Sequence, residues 1–456
     1  MPETIVALAT PTGRSGIGVI RLSGAGALAI TQKLVGDTSF EPEPRHAHLA
    51  QLRDKNSSDV IDEAIITYFK SPHSFTGEDV IEISCHGSPV LLRQVIDICL
   101  SLDARMADPG EFTLRALANG RMNLAEAEAI RDLIDAQTKA SARQAIRQLQ
   151  GEFSKQLQPL KDNLLNVIVV LESALEFVED DLPEMQAENV RAKLAWIATE
   201  LAKLAATFQA GRLIREGLRV AIVGRPNVGK SSLFNALLGS DRAIVTEIAG
   251  TTRDQIHERF TINGIPISLI DTAGLRETTD TVESIGVERS KAAMSDADIV
   301  VVMLDASQEI EDEDTQILES ILGIDYLIAI NKIDKVSRER ILNIRSQISN
   351  STTRVVEISA KTGDGLDGLQ RTIIEPFATT ETASAGFLVT DARHHDLLLR
   401  SHQQIASSIT QFDQKFSEEI VLIGIHNALL FLGQITGETT TEDVLTRIFA
   451  TFCIGK

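Results

Sequence analysis

The sequence predicts a multidomain chain: an N-terminal α/β unit, then an all-α helical domain, with a second α/β unit of the P-loop, parallel-sheet type inserted among the helices. Three observations predict it. Residues 1–118 mix short β-rich runs with a helical stretch, apolar residues then recur at three- and four-residue spacing, and that spacing resumes after a central segment of different texture. At 456 residues the chain exceeds a single core, and about 150 residues per domain suggests about three units. The boundaries read from texture are 1–118, 119–215 for the first helical part, 216–378 for the insertion, and 379–456 for the second helical part.

In the N-terminal unit GVIRLS, IITYF and DVIEIS read as strands and VLLRQVIDICLSL as a helix. The string Gly24-Ala-Gly26-Ala-Leu-Ala29 follows a strand in dinucleotide-site fashion, but no second glycine-rich βαβ half follows it. A turn and a helix start are the preferred reading. From Asn123 onward Phe153, Leu157, Leu160, Leu164, Ile168, Leu171 and Leu175 mark one amphipathic helix, with Pro159 expected to kink or break it. Val190, Leu194, Ile197, Leu201, Leu204 and Phe208 mark another, and Leu398, Ile405, Ile409, Phe412 and Phe416 a third. Lys139, Arg143, Arg147, Lys155 and Lys161 form the best basic face, whose default reading is solvated helix surface.

Forty-four basic against 64 acidic residues leave a net charge of −20, which argues against an unaided polyanion-binding surface. Nucleic-acid contact must be local. The opening MPETIVALATPTGRSG has neither a basic stretch nor an apolar one behind it, and no window approaches ~18 uninterrupted apolar residues, so the expectation is no membrane and a cytoplasmic setting. Cys85, Cys99 and Cys453 cannot all pair and show no CxxC spacing; disulfides and structural zinc are not expected. Cys85 and Cys99 read as core thiols.

The inserted segment carries the chemistry. LRVAIV runs into Gly224-Arg-Pro-Asn227-Val228-Gly229-Lys230-Ser231-Ser232 and the helix SSLFNALLG, a strand–loop–helix whose glycines let backbone N–H groups wrap phosphates. Lys230 offers a point charge to the outer phosphates, and the Ser231 hydroxyl suits Mg²⁺. IPISLI delivers Asp271-Thr272-Ala273-Gly274, a carboxylate at a strand end for the magnesium shell and a glycine that can approach the terminal phosphate. Asn331-Lys332-Ile-Asp334 follows YLIAI; the Asp334 carboxylate can accept from guanine N1–H and its exocyclic amine, a donor pair adenine lacks. That selects GTP. Ser359-Ala360-Lys361 after VVEIS fits the last guanine-contacting loop, and GTTRD at 250–254 places Thr252 to sense the third phosphate and magnesium. The set resembles the translation-factor-like branch of the GTPases. Where Ras-like enzymes follow DTAG with a water-orienting glutamine, this chain has Leu275, which can neither donate nor accept. Glu277, Asp280 and Glu283 are the nearby candidates, each equally readable as a solvated loop charge, and Arg253 and Arg276 are candidate arginine fingers or loop-orienting salt links.

The chain ends FCIGK. Cys453 with a terminal Lys456 departs from the usual prenylation box, and no polybasic run precedes it.

PGEFTLRA, NLAEAEAIRDLIDA, GRPNVGKSS, IVTEIAGTTRD and RIFATFCIGK, in this domain order, resemble the MnmE/TrmE tRNA-modification GTPases across essentially all 456 residues. The resemblance implies an N-terminal folate-binding domain that dimerises, and a helical domain built from both sides of the GTPase. It implies 5-formyl-tetrahydrofolate or methylene-tetrahydrofolate contacts at Arg21, Glu82, Arg121 (lysine in some relatives) and Lys456. It implies K⁺ held by Asn227 with Thr246, Ile248 and Thr251, where cation charge can replace an arginine finger. It raises Glu283 above its neighbours as the water-orienting group, and puts Cys453 at the centre that modifies the wobble uridine of tRNA with an FAD-dependent partner, MnmG (GidA). The rival reading is a regulatory or ribosome-assembly GTPase without modification chemistry of its own.

Overall fold

A computed structural model describes residues 3–54, 57–176, 184–240, 258–262, 265–270, 297–321, 323–348, 354–377, 386–439 and 442–455. By contacts the chain forms two compact units, one of Met1–Ile134, Ile146–Glu176 and Glu418–Lys456, the other of Asp135–Ala145 and Phe177–Ser417.

The first unit holds a sheet of strands β1 (Ile5–Leu8), β2 (Ile17–Ser23), β3 (Ala47–Arg53), β4 (Val60–Phe69), β5 (Val80–His86) and β6 (Arg105–Met106), in the order β3-β4-β5-β2-β1-β6. All pairings are antiparallel except β1 with β6. Alternation along the strands buries Ile20, Leu22, Ile66, Ile81 and Ile83 with the apolar faces of helices Ala27–Val35 and Pro89–Ser101. The Gly24–Ala29 string is a turn and a helix start: Gly26 caps the first of these helices, and its N–H donates to Thr4 Oγ1 at 2.9 Å. Cys85 and Cys99 are buried in this core, where desolvation pushes both thiols up to about 12.

Also in this unit, helix Glu152–Glu176 packs against helix Glu418–Thr436. The break expected at Pro159 does not occur: the helix continues through it, because Leu157, Leu160 and Leu164 on either side are almost wholly buried and hold the register. Lys161 likewise leaves the predicted solvated face; it is buried and paired with Glu438 at 2.5 Å. Helix Glu418–Thr436 is long and apolar enough to cross a membrane by length and composition, but half of its most apolar stretch is buried inside the protein, as in a core helix. Leu124, Ala127, Phe449 and Phe452 form a small cluster that fixes the C-terminal helix Glu442–Phe449 beside the start of helix Leu124–Asp135.

The second unit contains β7 (Leu218–Val223), β8 (Glu258–Ile262), β9 (Ile265–Ile270), β10 (Ile299–Asp305), β11 (Tyr326–Asn331) and β12 (Arg354–Glu357), in the order β12-β11-β10-β7-β9-β8. Only β8 is antiparallel. The central strand IVVVMLD is buried along its whole length, as a parallel strand covered on both faces must be. Helices Glu184–Ala206 and Ala392–Asp413 of the same unit pack together through the predicted stripes, although Phe208 begins the next helix, Phe208–Glu216, and Phe416 falls beyond the helix end and is exposed.

The chain enters β7 through helix Phe208–Glu216 and returns through the extended segment 386–391. The two cross closely. Gln144 bonds both Gly386 O (3.2 Å) and Leu388 N (3.3 Å), Thr207 Oγ1 accepts from Val389 N at 3.0 Å, and Arg215 reaches Asp391 at 2.7 Å. Gly211 sits where an added Cβ would lie 2.1 Å from Val389 O. Gly211→Ala therefore separates the two passes; a loss of about 2 kcal/mol or more in urea unfolding is expected, against a gain of about 0.5–1 kcal/mol for a helical Gly→Ala in open space.

Candidate functional site

Where β7 ends, the loop turns on three residues of positive φ: Gly224 (149°), Asn227 (63°) and Gly229 (104°). Two of them are glycine for a second reason. A Cβ on Gly224 would lie 2.6 Å from Met303 O, and one on Gly229 2.3 Å from Asn331 Nδ2. Val228 is buried, and Ser231 and Ser232 are exposed in the first turn of helix Lys230–Ser240. The loop thus aims a helix N-terminus and its backbone N–H groups at one point, the arrangement that binds phosphate. Lys230 Nζ donates to Gly224 O (2.6 Å) and Arg225 O (2.9 Å); burial lowers its pKa, and it lies poised over the cradle.

The base-side residues converge on the same loop. Asn331, at the end of β11, donates through Nδ2 to Val228 O at 2.8 Å and accepts at Oδ1 from Ala360 N at 2.9 Å. Lys332 Nζ reaches Asn227 O (2.8 Å) and Asp305 Oδ2 (2.6 Å). Ser359 Oγ donates to Asp334 Oδ1 at 2.7 Å, and this bond holds the exposed Asp334 carboxyl below its usual range. Lys361 is exposed. The structure therefore gathers Asn227, Val228, Gly229, Lys230, Asn331, Lys332, Asp334, Ser359 and Ala360 in one hydrogen-bonded set about the phosphate loop. Thr246, Ile248, Thr251, Thr252, Asp271, Thr272, Ala273, Gly274 and Glu283 lie outside the described residues.

Sequence reasoning passed over Asp305. It ends β10, is 4% exposed, and accepts from Lys332 Nζ, Ser307 N and Ser307 Oγ. Its signal was an acid closing an otherwise apolar run, IVVVMLD. Burial alone would raise its carboxyl, but Lys332 and Ser307 hold it below the usual range. A carboxylate depressed on folding contributes stability that is present above its unfolded pKa, about 3.9, and lost as pH falls through the lower folded value. Asp305→Asn is expected to cost about 1–2 kcal/mol at neutral pH, and the deficit measured by urea unfolding should shrink on acidification below pH about 4.

A second constellation lies on the N-terminal sheet. The β2–β5 register sets Arg21 opposite Glu82, and Nε and Nη2 both donate to Glu82 Oε1 at 2.9 and 2.6 Å. Arg21 Nη1 donates to Gly455 O at 3.1 Å, and its guanidinium lies 5.9 and 5.8 Å from the ring centroids of Phe75 and Phe112. The tail is seated by backbone contact: Gly110 N donates to Cys453 O at 3.4 Å, and Gly455 (φ 96°) tucks against Leu8 O. Cys453 itself is exposed. Arg121 is exposed beside Gly77, with no ion pair to Glu82, and Lys456 lies outside the described residues. Missed from sequence was the support beneath: Ser23 Oγ lies 2.7 Å from Thr76 Oγ1 and donates to Glu78 at 2.8 Å, and Arg115 ties Glu78 (3.0 Å) to Glu111 (2.8 Å).

Residues 4–121 match the family described as the GTP-binding protein TrmE N-terminus, and residues 124–453 match the MnmE helical domain. The chain is similar to the tRNA modification GTPase MnmE of Aquifex aeolicus, 43% identical over 458 residues, and to that of Koribacter versatilis, 44% identical over 459, with each alignment covering 100% of both chains. Among solved structures, the G domain of the T. maritima FeoB iron transporter is 31% identical, covering 36% of this chain and 99% of its own, at a TM-score of 0.27.

Proposed function

The chain belongs to the MnmE family of tRNA modification GTPases, and on that premise we propose that its GTP hydrolysis is potassium-dependent and gates the modification of the wobble uridine of tRNA. It is a GTP-hydrolysing enzyme of tRNA modification. The finer reading adds an FAD-dependent partner of the MnmG (GidA) type, a homodimer, a cytoplasmic setting, and a folate held on the N-terminal sheet.

One observation carries the folate reading: the last residues return across the whole chain, where Gly455 O accepts from Arg21 and Cys453, two residues earlier, is exposed. A GTPase that acted only as a switch would have no use for this pairing. The residues suit a pterin. Glu82 keeps Oε2 outside its bonds to Arg21 and can accept from the N–H and amino group of a pterin edge, while the exposed Phe75 offers an apolar wall beside the guanidinium. Arg121 and Lys456 would serve the glutamate end as cations. The folate would supply a one-carbon unit. Cys453, which is exposed, would be the thiol that takes part.

At the other site, Gly224–Ser232 cradles the triphosphate and Asp334, fixed by Ser359, accepts from guanine. Ser231, Thr252 and Asp271 would hold Mg²⁺, which would neutralise charge on the outer phosphates. Asn227, whose positive φ of 63° turns the loop, would hold K⁺ with Thr246, Ile248 and Thr251. Glu283 orients the attacking water, the task Leu275 cannot perform.

GTP turnover should rise at least about tenfold in potassium over sodium; equal rates remove the cation role. Glu283→Ala should lower kcat by about 10²-fold or more with little change in nucleotide affinity. With the partner, folate, GTP, glycine or ammonium and unmodified tRNA, mass analysis of nucleosides should show the wobble product with the wild type and none with Cys453→Ser, whose GTP hydrolysis persists. Intact modification by that variant would favour the regulatory GTPase or a structural thiol.

A further inference from the structure

The second residue of the phosphate loop, Arg225, carries a guanidinium only 8% exposed. Nη1 lies 2.6 Å from Glu311 Oε1, Nε 2.9 Å from Asp314 Oδ2, and Nη2 donates to Glu309 O at 3.0 Å. Asp314 is itself 1% exposed, and the same Oδ2 accepts from Glu311 N at 3.1 Å in the reciprocal cap of helix Asp312–Ser320. The carbonyl of Arg225 meanwhile accepts from Lys230 Nζ. Two residues further along the loop, Asn227 is held through its carbonyl by Lys332, and Lys332 by Asp305.

Asp305 and Asp314 bound a single connection, the turn between β10 and helix Asp312–Ser320. The phosphate loop is thus anchored twice to the two ends of one short segment, at Arg225 and at Asn227. An exposed ion pair would contribute little, but the Nε–Asp314 contact is closed to water on both sides: removing Arg225 leaves the Asp314 charge uncompensated in the interior, and removing Asp314 leaves the buried guanidinium only the exposed Glu311 carboxylate.

We propose that Arg225 and Asp314 are positioning residues for GTP. Asp314 fixes the Arg225 side chain; Arg225 then fixes the carbonyls at 224 and 225, and so the place from which Lys230 leaves them for the outer phosphates. Neither side chain touches the nucleotide. Their effect falls on how long the closed cradle retains its ligand, more than on the hydrolytic step, which belongs to residues beyond the loop.

The test uses the full-length chain. Dissociation of a fluorescent GDP is timed for wild type, Arg225→Lys, Arg225→Met, Asp314→Asn and the double variant Arg225→Met/Asp314→Asn, with kcat and KM for GTP and the melting of nucleotide-free protein measured alongside. Arg225→Met and Asp314→Asn should each speed GDP release about tenfold and raise KM, with kcat at saturation within about threefold of wild type. The double variant should be no faster than the worse single one, since the pair acts as a unit. Arg225→Lys, which keeps charge but loses the planar fork, should fall between. Unchanged release in variants that merely melt earlier, or additive effects in the double variant, would overturn the proposal and leave the pair a prop of the fold. Should Arg225→Met fail to fold, the near-isosteric Asp314→Asn with Arg225→Lys decides on the same release rate.

Discussion

The carboxamide of Asn331 is the point on which the nucleotide site turns. It is almost wholly buried at the end of β11, gives a hydrogen bond to the phosphate loop at Val228 and takes one from the Ser359–Lys361 loop at Ala360. Only a side chain with a donor and an acceptor side by side can do both: Asp would lose the first bond and leave a buried carbonyl unmatched, and Leu would lose both. Its closeness to Gly229, where any Cβ would strike it, makes the glycine and the asparagine one constraint. The next residue, Lys332, adopts a left-handed φ of 64° and is thereby turned back toward Asn227 and Asp305. Base recognition and phosphate binding are therefore parts of one interlocked structure, and a change at one is felt at the other.

What could be read in the sequence follows from this division between local and distant causes. β7, β9 and β11 were legible because strands of a parallel sheet covered on both faces read as apolar runs, and the helices because their buried stripes recur at a spacing no strand shares. The nucleotide loops were legible because phosphate and guanine demand particular groups at fixed offsets. Asp305 was not, since its value depends on Lys332 across two parallel strands, a neighbour that register rather than spacing supplies. The segment 386–390 forms no strand: Gln144 and Thr207 side chains take backbone groups that a ladder would have used.

Pro159 and Lys161 show tertiary burial overriding local rules. A proline deprives a helix of one bond and a lysine prefers water, but flanking leucines and Glu438 respectively decide the outcome. The meeting of Arg21 with Gly455 lies furthest from local inference, because the two are 434 positions apart and the partner is a main-chain carbonyl that any residue type would present.

The two sites, read as proposed, solve one recognition problem in two ways. Guanine and a pterin both offer an N–H beside an amino group, and a carboxylate is the natural receiver of that pair. Asp334 is exposed and is steadied by a neutral hydroxyl, Ser359. Glu82 is steadied by a cation, and both of Arg21's bonds fall on a single oxygen, so the other is presented without rotation of the group. The charged support carries more energy per bond and leaves the carboxylate less free to turn. It also neutralises the acid, so the ligand's donors meet a weaker field than Asp334 provides. Such a site relies on shape more than on charge, which accords with Phe75 beside Arg21 and with a tail whose Gly455 carbonyl meets the guanidinium.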